Sequence, residues 1–502
     1  MHSPGFASMP FRTQLIALLS SLASSAAVFA DEPAKVSYHK DVRPIFQQHC
    51  NGCHQPAKPM GGFVMTTHPD LFKAGERGKP GVVAGKPDAS YIVEQIKVHD
   101  GKAEMPRGRD PLNPLVARTI IDWIAQGAVD DTPASAKAVA VDANHPPQYS
   151  APPVVTSLAF SRDGKRLAVT GYHEVLIYDS GKFDLKARLI GISERIQAIA
   201  YSPDGKKLAA VGGAPGRFGE VQIWNAENEK LLISAPYTFD TIYGVSWSPD
   251  GKHIAFGCAD NTVRGIDSLT GKQTLQMGTH SDWVLGTGYS QDGAHVVSVG
   301  RDMTMKLTEV ETQRFIDNVT SITPGALKGG LMALDRRPSR TYRVFGALVR
   351  RTTKVPQDEG GKFIEKIYDE VIAGGADGAP RLYKIHREKK REIGDDSNKI
   401  REYEKMAGRI SCVAFNADGS KFAAVSSLDG KGEVRVYDTK SGSKVVCEKV
   451  TGPAYAVAWH PSGKLIASAG FDGKVWIHDP ATGKLVNSFV VLPKTEVSVG
   501  AR

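Results

Sequence analysis

The sequence predicts two folded parts of different class, a small all-α domain followed by an all-β domain of seven repeated sheets. Apolar residues between positions 42 and 124 recur at helical spacing. From Ala159 onward, a short segment recurs, first as AFSRDG and then as AYSPDG at Ala200. Its copies are spaced by steps of about 41 to 46 residues, the length of a repeated four-stranded antiparallel sheet. A segment rich in Asp, Ala and Pro separates the two patterns. The 502 residues also exceed what one ordinary core accommodates.

The first thirty residues have the composition of an export signal. Arg12 precedes an apolar run from Leu15 to Phe29, and small residues precede Asp31. This order predicts a signal peptide over residues 1–30, cleaved after Ala30, and a periplasmic or otherwise exported protein. The run is interrupted by serines and is shorter than the roughly 20 residues that span a bilayer. No later segment is long and apolar enough, so the sequence predicts a protein that does not span the membrane.

The bulk composition is that of a globular protein with a basic surface. A hydrophobic share of 41% and a charged share of 23% argue against wholesale disorder and against a membrane bundle. The formal net charge of +9 suits acidic partners, and export argues against nucleic acid as a partner. Cys258, Cys412 and Cys447 lie in strand-like segments, where cysteine usually acts as a small buried hydrophobe, so we expect no structural disulfide.

The segment HCNGCH, from His49 to His54, contains the spacing Cys-X-X-Cys-His. Two thiols on one turn can form thioether bonds to the vinyl groups of a haem, and the adjacent His54 can then bind the iron. A redox dithiol or half of a zinc site are the alternatives, but no second cysteine pair is present to complete zinc binding. The pattern predicts one haem c on Cys50 and Cys53, with His54 as proximal ligand.

Two amphipathic helices are predicted around this motif. The first carries an apolar stripe before Cys50, and the second has Asn113 as N-cap, Pro114 in its first turn and Gly127 after its end. The predicted stripes are Val42, Ile45, Phe46 and His49 in the first helix, and Leu115, Ile120, Trp123 and Ile124 in the second. We expect the helices to cross, with Phe46 against Trp123.

The second axial ligand of the iron must come from another segment. Met105 stands in a Met-Pro pair between the two helices, and its thioether suits ferrous iron. Met60, Met65, His68 and His99 are alternatives. Met60 is so close to the attachment turn that reaching the far side of the haem would strain the loop. The sequence therefore favours Met105, with His99 or His68 next and an open or water-ligated iron remaining as a further alternative.

These segments resemble one known family. The runs CNGCHQPAKPMGGF, VVAGKPDASYIVEQI, AEMPRG and IIDWIAQGA are similar, in this order, to the planctomycete-type cytochrome c domain. The resemblance covers about a fifth of the chain, residues 36–129. It implies that Cys50 and Cys53 carry the haem, that His54 is the proximal ligand and that Met105 is the distal ligand. The family often has a second proline after Met-Pro, where this chain has Arg107.

Residues 130–153 have no apolar period and predict an extended linker, and residues 154–492 contain the repeats. Five of the six copies of the recurring segment end in Asp-Gly and the last, AWHPSG, ends in Ser-Gly, which predicts a tight hairpin between the first two strands of these units. A second set of equivalent positions, one in each unit, indicates seven units. In this column, as it is called below, stand Tyr178, Trp224, Ile266, Thr308, Tyr383, Tyr437 and His478. The column is similar to the Trp-Asp position of WD-repeat proteins, which implies a seven-bladed β-propeller. No strand that closes the ring is identifiable.

Other polar residues of the repeats are interpreted as scaffold. His280, Ser298 and Asp302 match the structural hydrogen-bond set of the WD repeat, although Thr308 replaces its Trp, and His460 and His478 occupy similar positions. The fifth unit should pair LMALD near Leu331 with VIAGGADG near Val371. Insertions are predicted near 336–368 and 386–409. One hypothesis is that these insertions form a docking surface for an acidic redox partner or for cell-envelope polymer, and the alternative is that they are solvated and have no binding role. The basic residues of the first predicted insertion are Arg336, Arg337, Arg340, Arg343, Arg350, Arg351 and Lys354.

Three functions are compatible with this organisation. The first is electron transfer between unidentified redox donor and acceptor proteins, with the propeller as protein-interaction platform. The second is a haem-linked oxidoreductase whose active site lies on the propeller, although the sequence offers no defensible catalytic constellation. The third is a scaffold in which the haem senses redox state or a gas. Enzymes and adaptor proteins both use the propeller fold, so the fold does not distinguish these functions, and the functional site has to. The single haem favours electron transfer over catalysis.

Overall fold

The computed structural model of the chain describes residues 35–55, 58–133, 141–142, 144–323, 327–338, 369–392 and 394–492. The predicted signal peptide therefore lies outside the described residues. None of the helices in the described ranges is long and apolar enough to cross a membrane.

The N-terminal part is mainly helical. A π-helical turn, Tyr38–Val42, leads into α1, Arg43–His49, and α2, Tyr91–Ile96, and α3, Pro114–Ala125, follow later in the chain. Short 3₁₀ segments lie at Met60–Gly62, His68–Phe72 and Pro87–Ala89. A pair of two-residue strands, β1 (His54–Gln55) and β2 (Lys58–Pro59), also follows the attachment turn. The sequence predicted an all-α domain, but this part also contains the short strand pair β1–β2.

The core of this part confirms the predicted helix contact. The rings of Phe46 and Trp123 meet edge-to-face with centroids 6.3 Å apart, and Tyr38 stacks on Trp123 at 5.3 Å. The side chain of Asn113 accepts a hydrogen bond from the backbone N–H of Leu115, as expected of an N-cap. The expectation that Leu115 belongs to the buried stripe is wrong, because its position in the first turn of α3 leaves it 77% exposed.

The remaining strands form antiparallel sheets in chain order. A seven-stranded sheet contains β3 (Leu158–Phe160), β4 (Arg166–Thr170), β5 (Tyr172–Asp179), β6 (Leu185–Tyr201), β7 (Lys207–Ala214), β8 (Phe218–Asn225) and β9 (Leu231–Thr238). The long strand β6 pairs with β5 through its first part and with β7 through its second. It therefore serves as the last strand of one four-stranded unit and the first strand of the next.

Five four-stranded sheets follow. The first two contain β10 (Ile242–Trp247), β11 (His253–Cys258), β12 (Val263–Asp267) and β13 (Gln273–Met277), then β14 (Val284–Tyr289), β15 (His295–Gly300), β16 (Met305–Glu309) and β17 (Arg314–Asn318). The third contains β18 (Leu331–Arg336), β19 (Glu370–Gly375), β20 (Arg381–Lys384) and β21 (Lys399–Glu402). The last two contain β22 (Arg409–Phe415), β23 (Lys421–Leu428), β24 (Lys431–Asp438) and β25 (Lys444–Val446), then β26 (Ala454–Trp459), β27 (Ile466–Gly470), β28 (Lys474–His478) and β29 (Leu485–Val490).

The recurring segments occupy the positions that the sequence predicts. The glycine of each segment lies in the turn between the first two strands, with a positive φ of 65° to 75° that favours glycine. All seven residues of the predicted column lie in the third strand of their units, namely β5, β8, β12, β16, β20, β24 and β28. Leu331 pairs with Gly375 and Arg336 with Val371, as predicted for the fifth unit.

The first and last sheets contact each other. The backbone N–H of Val155 donates to the carbonyl of Gly470 at 2.9 Å, and Nε2 of His460 bonds the carbonyl of Gly164 at 3.0 Å. Side chains of both sheets also share one buried apolar cluster. His460 therefore joins two sheets that are almost 300 positions apart in sequence.

The buried polar set around His280 supports its interpretation as scaffold. His280 bonds Oδ2 of Asp302 at 2.9 Å through Nδ1 and Oγ of Ser298 at 2.8 Å through Nε2. Burial alone would raise the pKa of Asp302, but hydrogen bonds from His280 and Thr304 lower it to about 2. This set is fully engaged within its own sheet.

The linker is anchored where it reaches the first sheet. The Tyr149 hydroxyl donates to Oε1 of Glu174 at 2.7 Å, and Arg188 donates to the Pro147 carbonyl at 2.9 Å. Glu174 is fully buried and also pairs with Arg188. The residues just before the first strand are thus fixed against it, at the end of the segment for which the sequence predicts an extended linker.

Candidate haem-attachment site

The segment Cys50–His54 forms a tight turn directly after α1. The backbone N–H groups of Cys53 and His54 both donate to the carbonyl of Cys50, at 3.0 and 3.1 Å. Cys50 is half-buried against the helical core, and Cys53 is exposed. The turn therefore carries both cysteines and His54 on one short segment, and attachment of one haem requires two thiols and an adjacent histidine.

The imidazole of His54 is oriented by a backbone carbonyl. Its Nδ1 lies 3.2 Å from the carbonyl oxygen of Phe63. Because a carbonyl only accepts hydrogen bonds, Nδ1 must carry the proton, which leaves the lone pair of a neutral ring on Nε2. Burial lowers the pKa of His54, against the opposing effect of the Phe63 and Met60 carbonyls, and thus favours the neutral ring. A metal-binding histidine is commonly held in this way.

The candidates for the distal ligand differ in how their side chains are engaged. Met65 is 4% exposed in the helical core, and Nε2 of His68 bonds the carbonyl of Ala128 at 2.8 Å. His99 is exposed, and Met60 is 39% exposed beside the attachment turn. Met105 is half-buried at the edge of the helical core. Met105 as the distal ligand remains a prediction.

The donor set fits a haem attached through two thioethers. Cys50 and Cys53 would supply sulfur, His54 would supply an oriented imidazole nitrogen, and Met105 would supply a thioether from a separate segment. Within the described ranges, no three His, Cys, Asp or Glu side chains are grouped so as to hold a bare metal ion.

The attachment turn also lies against the seven-stranded sheet. Nε2 of Gln55 donates to Oγ of Ser234 on β9 at 2.6 Å, and Gln55 is buried. A Cβ atom added to Gly52 would lie 2.3 Å from the carbonyl oxygen of Ser234. Burial raises the pKa of Tyr237, further along β9, and the nearby charge of Arg109 from the helical part opposes this shift. The β-sheet domain therefore covers one side of the turn.

A second candidate site lies among the sheets. Their first strands surround a cavity of about 1030 Å³. At one side, Tyr243 stacks on Trp283 with centroids 5.5 Å apart, and the Arg301 guanidinium lies 4.6 Å from the Trp283 ring centroid. Nε of Arg301 is 3.6 Å from a carboxylate oxygen of Asp282. Arg301 is therefore oriented at the cavity by an aromatic ring and an acid.

The predicted docking residues are only partly placed. Arg340, Arg343, Arg350, Arg351 and Lys354 lie outside the described residues. Arg337 pairs with Glu370 at 2.5 Å and donates to the carbonyl of Gly419 in the next sheet at 2.9 Å. In the second predicted insertion, Arg387 pairs with Asp317 of the preceding sheet. These two arginines join sheets to each other, and β21 also lies inside the second predicted insertion.

Comparison with known families matches the helical part and the sheets to different families. The sequence pattern of the family described as planctomycete cytochrome C matches residues 50–107. The pattern of the anaphase-promoting complex subunit 4 WD40 domain matches residues 237–292, and that of eukaryotic translation initiation factor eIF2A matches residues 379–497.

Similar curated proteins match the sheets. The periodic tryptophan protein 2 homolog of Caenorhabditis elegans is 24% identical over 36% of this chain and 20% of its own length. The WD repeat-containing protein 26 homolog of Arabidopsis thaliana is 22% identical over 54% of this chain and 47% of its own length. Over its sheets, the chain is similar to WD-repeat proteins. This similarity supports a β-propeller, and the matches span less than half the length of these two relatives.

Several residues of both sites escape prediction from the sequence. Gly52 and Gln55 stand within and beside the haem motif, but their contact, Ser234, is distant in the chain. Tyr243, Trp283 and Arg301 come from three separate segments of two repeats. Neither group has a spacing signal, because only the packing of distant segments brings the residues together.

Proposed function

We propose that this chain is an exported electron-transfer protein that carries one covalently attached haem c, with its propeller as a protein-interaction platform. The observation that supports it best is the turn of Cys50, Cys53 and His54, with Nδ1 of His54 fixed on the Phe63 carbonyl. When bound, the haem iron would accept and release one electron. The chain would hold the haem through Cys50 and Cys53, orient His54 and cover one side of the turn with β9.

The proposal includes export and a closed ring. A signal peptide over residues 1–30 would deliver the chain to the compartment where haem is attached. Counting β6 twice, the sheets supply seven four-stranded units, which we assign as seven blades. The contacts between the first and last sheets through Val155 and His460 support closure without an exchanged strand.

Replacing Met105 tests the proposed closed coordination of the iron. In Met105→Ala, we expect the Met-to-iron charge-transfer band of the oxidised protein to disappear and the reduction potential to fall, because thioether ligation raises the potential. The measurements are absorption spectra of both oxidation states and a redox titration.

Met277→Ala serves as the matched control, since Met277 is a half-buried methionine on β13, outside the helical domain. An unchanged band in Met105→Ala would remove Met105 as ligand. Rapid carbon monoxide binding by the reduced wild-type protein would indicate an open iron, and would favour sensing or catalysis over electron transfer.

Arg301 tests the platform role of the propeller. We propose that the Tyr243–Trp283–Arg301 cluster binds an acidic segment of a partner protein, since the guanidinium is already oriented by Trp283 and Asp282. Arg301→Glu should weaken binding of that partner by about tenfold or more. The partner is first captured with the full chain from an envelope extract, then purified and titrated against both forms.

Arg314→Glu is the control, because Arg314 is an exposed arginine on the outer strand β17 of the same sheet. Equal weakening by both substitutions would indicate nonspecific charge attraction rather than a site at the cavity.

A further inference from the structure

A carboxyl group is buried beneath the attachment turn. Glu220 on β8 is fully buried. Its Oε2 accepts hydrogen bonds from Oγ of Ser193 at 2.5 Å and from Nε2 of Gln222 at 2.8 Å, and its Oε1 accepts one from Oγ of Ser234. Burying an ionised carboxylate is costly unless a charge or several donors compensate it. Among the residues that the structure describes, Glu220 has hydrogen-bond donors but no ion-pair partner.

A chain of hydrogen bonds leads from Glu220 to the haem motif. Ser234 Oγ, which donates to Glu220, accepts from Nε2 of Gln55 at 2.6 Å. Gln55 also donates to the backbone carbonyl of Asn51, inside the attachment turn, and directly follows His54. The carboxyl is therefore connected to both ends of the turn through two uncharged side chains.

The groups that face Glu220 permit both of its protonation states. Ser193 on β6, Gln222 on β8, Ser234 on β9 and Gln55 of the helical domain are all uncharged. Each serine hydroxyl can donate to a carboxylate or accept from a carboxylic acid. Opposite Glu220 on β7 lies Gly212, which has no side chain to contribute a charge.

The charged side chains nearest Ser193 on β6 do not pair with Glu220: Arg188 pairs with Glu174, and Arg195 is exposed to solvent. Glu194 on β6 pairs with Arg217, which precedes β8. Burial raises the pKa of Glu220, partly offset by hydrogen bonds from Ser193, Ser234 and Gln222. A raised pKa brings the carboxyl closer to the pH range in which a small change of local charge alters its protonation.

We propose that Glu220 is a proton-exchanging group coupled through Ser234 and Gln55 to the redox site at Cys50–His54. This inference depends on the proposed haem. On one-electron reduction by a donor, the haem site would gain one negative charge, and Glu220 would take up one proton from solvent. On reoxidation, the electron would pass to an acceptor, and Glu220 would release the proton. Glu220 thus acts on the haem site through its protonation state and is not a ligand of the iron.

The sign of the effect follows from linkage. Because reduction adds negative charge, the proton is held more tightly in the reduced state than in the oxidised state. Between the two pKa values of Glu220, the midpoint potential must fall as the pH rises. Below and above that window, this group gives the potential no pH dependence.

The test is a redox titration of the full chain at a series of pH values. We expect a potential that falls with pH in the wild type, and loss of that slope in Glu220→Gln, which keeps the size and polarity of the side chain. Glu194→Gln, a carboxyl substitution two strands away, should keep the slope. Infrared difference spectra of the wild type should show a carboxylic acid C=O band that changes on reduction and is absent in Glu220→Gln.

Each outcome decides the inference. An equal slope in Glu220→Gln and the wild type, or a flat wild-type potential, would overturn the coupling. If Glu220→Gln does not fold, the wild-type infrared spectrum decides, since an unchanged carboxylic acid region excludes proton uptake by Glu220. Covalent haem is measured first on the same samples. Its absence overturns the proposed function and the coupling together, whereas haem with a pH-independent potential overturns the coupling alone.

Discussion

Simultaneous replacement of Cys50 and Cys53 by Ala is expected to abolish covalent haem attachment completely. The tight turn after α1 places both thiols beside His54, and each thiol would form one of the two thioether bonds. Without either thiol, any haem held by His54 would be lost when the protein is denatured. The measurement is the haem absorbance of purified, denatured protein after expression with export and haem-attachment machinery.

Cys412→Ala and Cys447→Ala are the controls for this double substitution. Both residues are unpaired cysteines of the sheets, and they belong to an apolar cluster distant from the attachment turn. Each control should retain one haem per chain. Full haem in the double variant would exclude thioether attachment at Cys50 and Cys53, and haem-free wild-type protein would exclude the proposed cofactor.

Local patterns predict much of this fold. Asn113, Pro114 and Gly127 correctly bracket α3, because capping depends on residues only a few positions apart. The Asp-Gly turns and the column that includes Tyr178 likewise follow from the repeat alone. Leu115 is mispredicted because the apolar stripe begins one turn before the helix reaches its core.

Contacts between distant segments are not predictable in this way. In β8, Glu220 and Gln222 alternate with Val221 and Ile223, which is the pattern of a sheet with one solvated face. All four are buried, because the attachment turn and neighbouring strands occupy that face. The haem motif identifies Cys50, Cys53 and His54 through the spacing that the chemistry requires. It carries no information on the sheet that covers the turn.

Gly52 provides the sharpest test of the packing of the attachment turn on β9. It is a variable position of the Cys-X-X-Cys-His spacing, so the attachment chemistry itself does not require glycine there. Its φ lies outside the left-handed region, so alanine is acceptable to the backbone. The obstacle is steric, because the new Cβ would lie 2.3 Å from the Ser234 carbonyl oxygen and 3.2 Å from Cδ of Pro236. One of the two parts must move.

Gly52→Ala is therefore expected to lower the free energy of unfolding by roughly 1–3 kcal/mol, the usual cost of overpacking. It should also increase protease cleavage in the linker at residues 130–153, because the helical domain is displaced from β9. Haem content should stay at the wild-type level, since Cys50, Cys53 and His54 are unchanged. Gly278→Ala is the control, because its Cβ would meet only Thr262 Cγ2 at an ordinary 3.8 Å. If Gly52→Ala has the same free energy of unfolding and the same linker cleavage as Gly278→Ala, the turn does not pack on β9. The hydrogen-bond path from Gln55 to Glu220 would then be excluded as well.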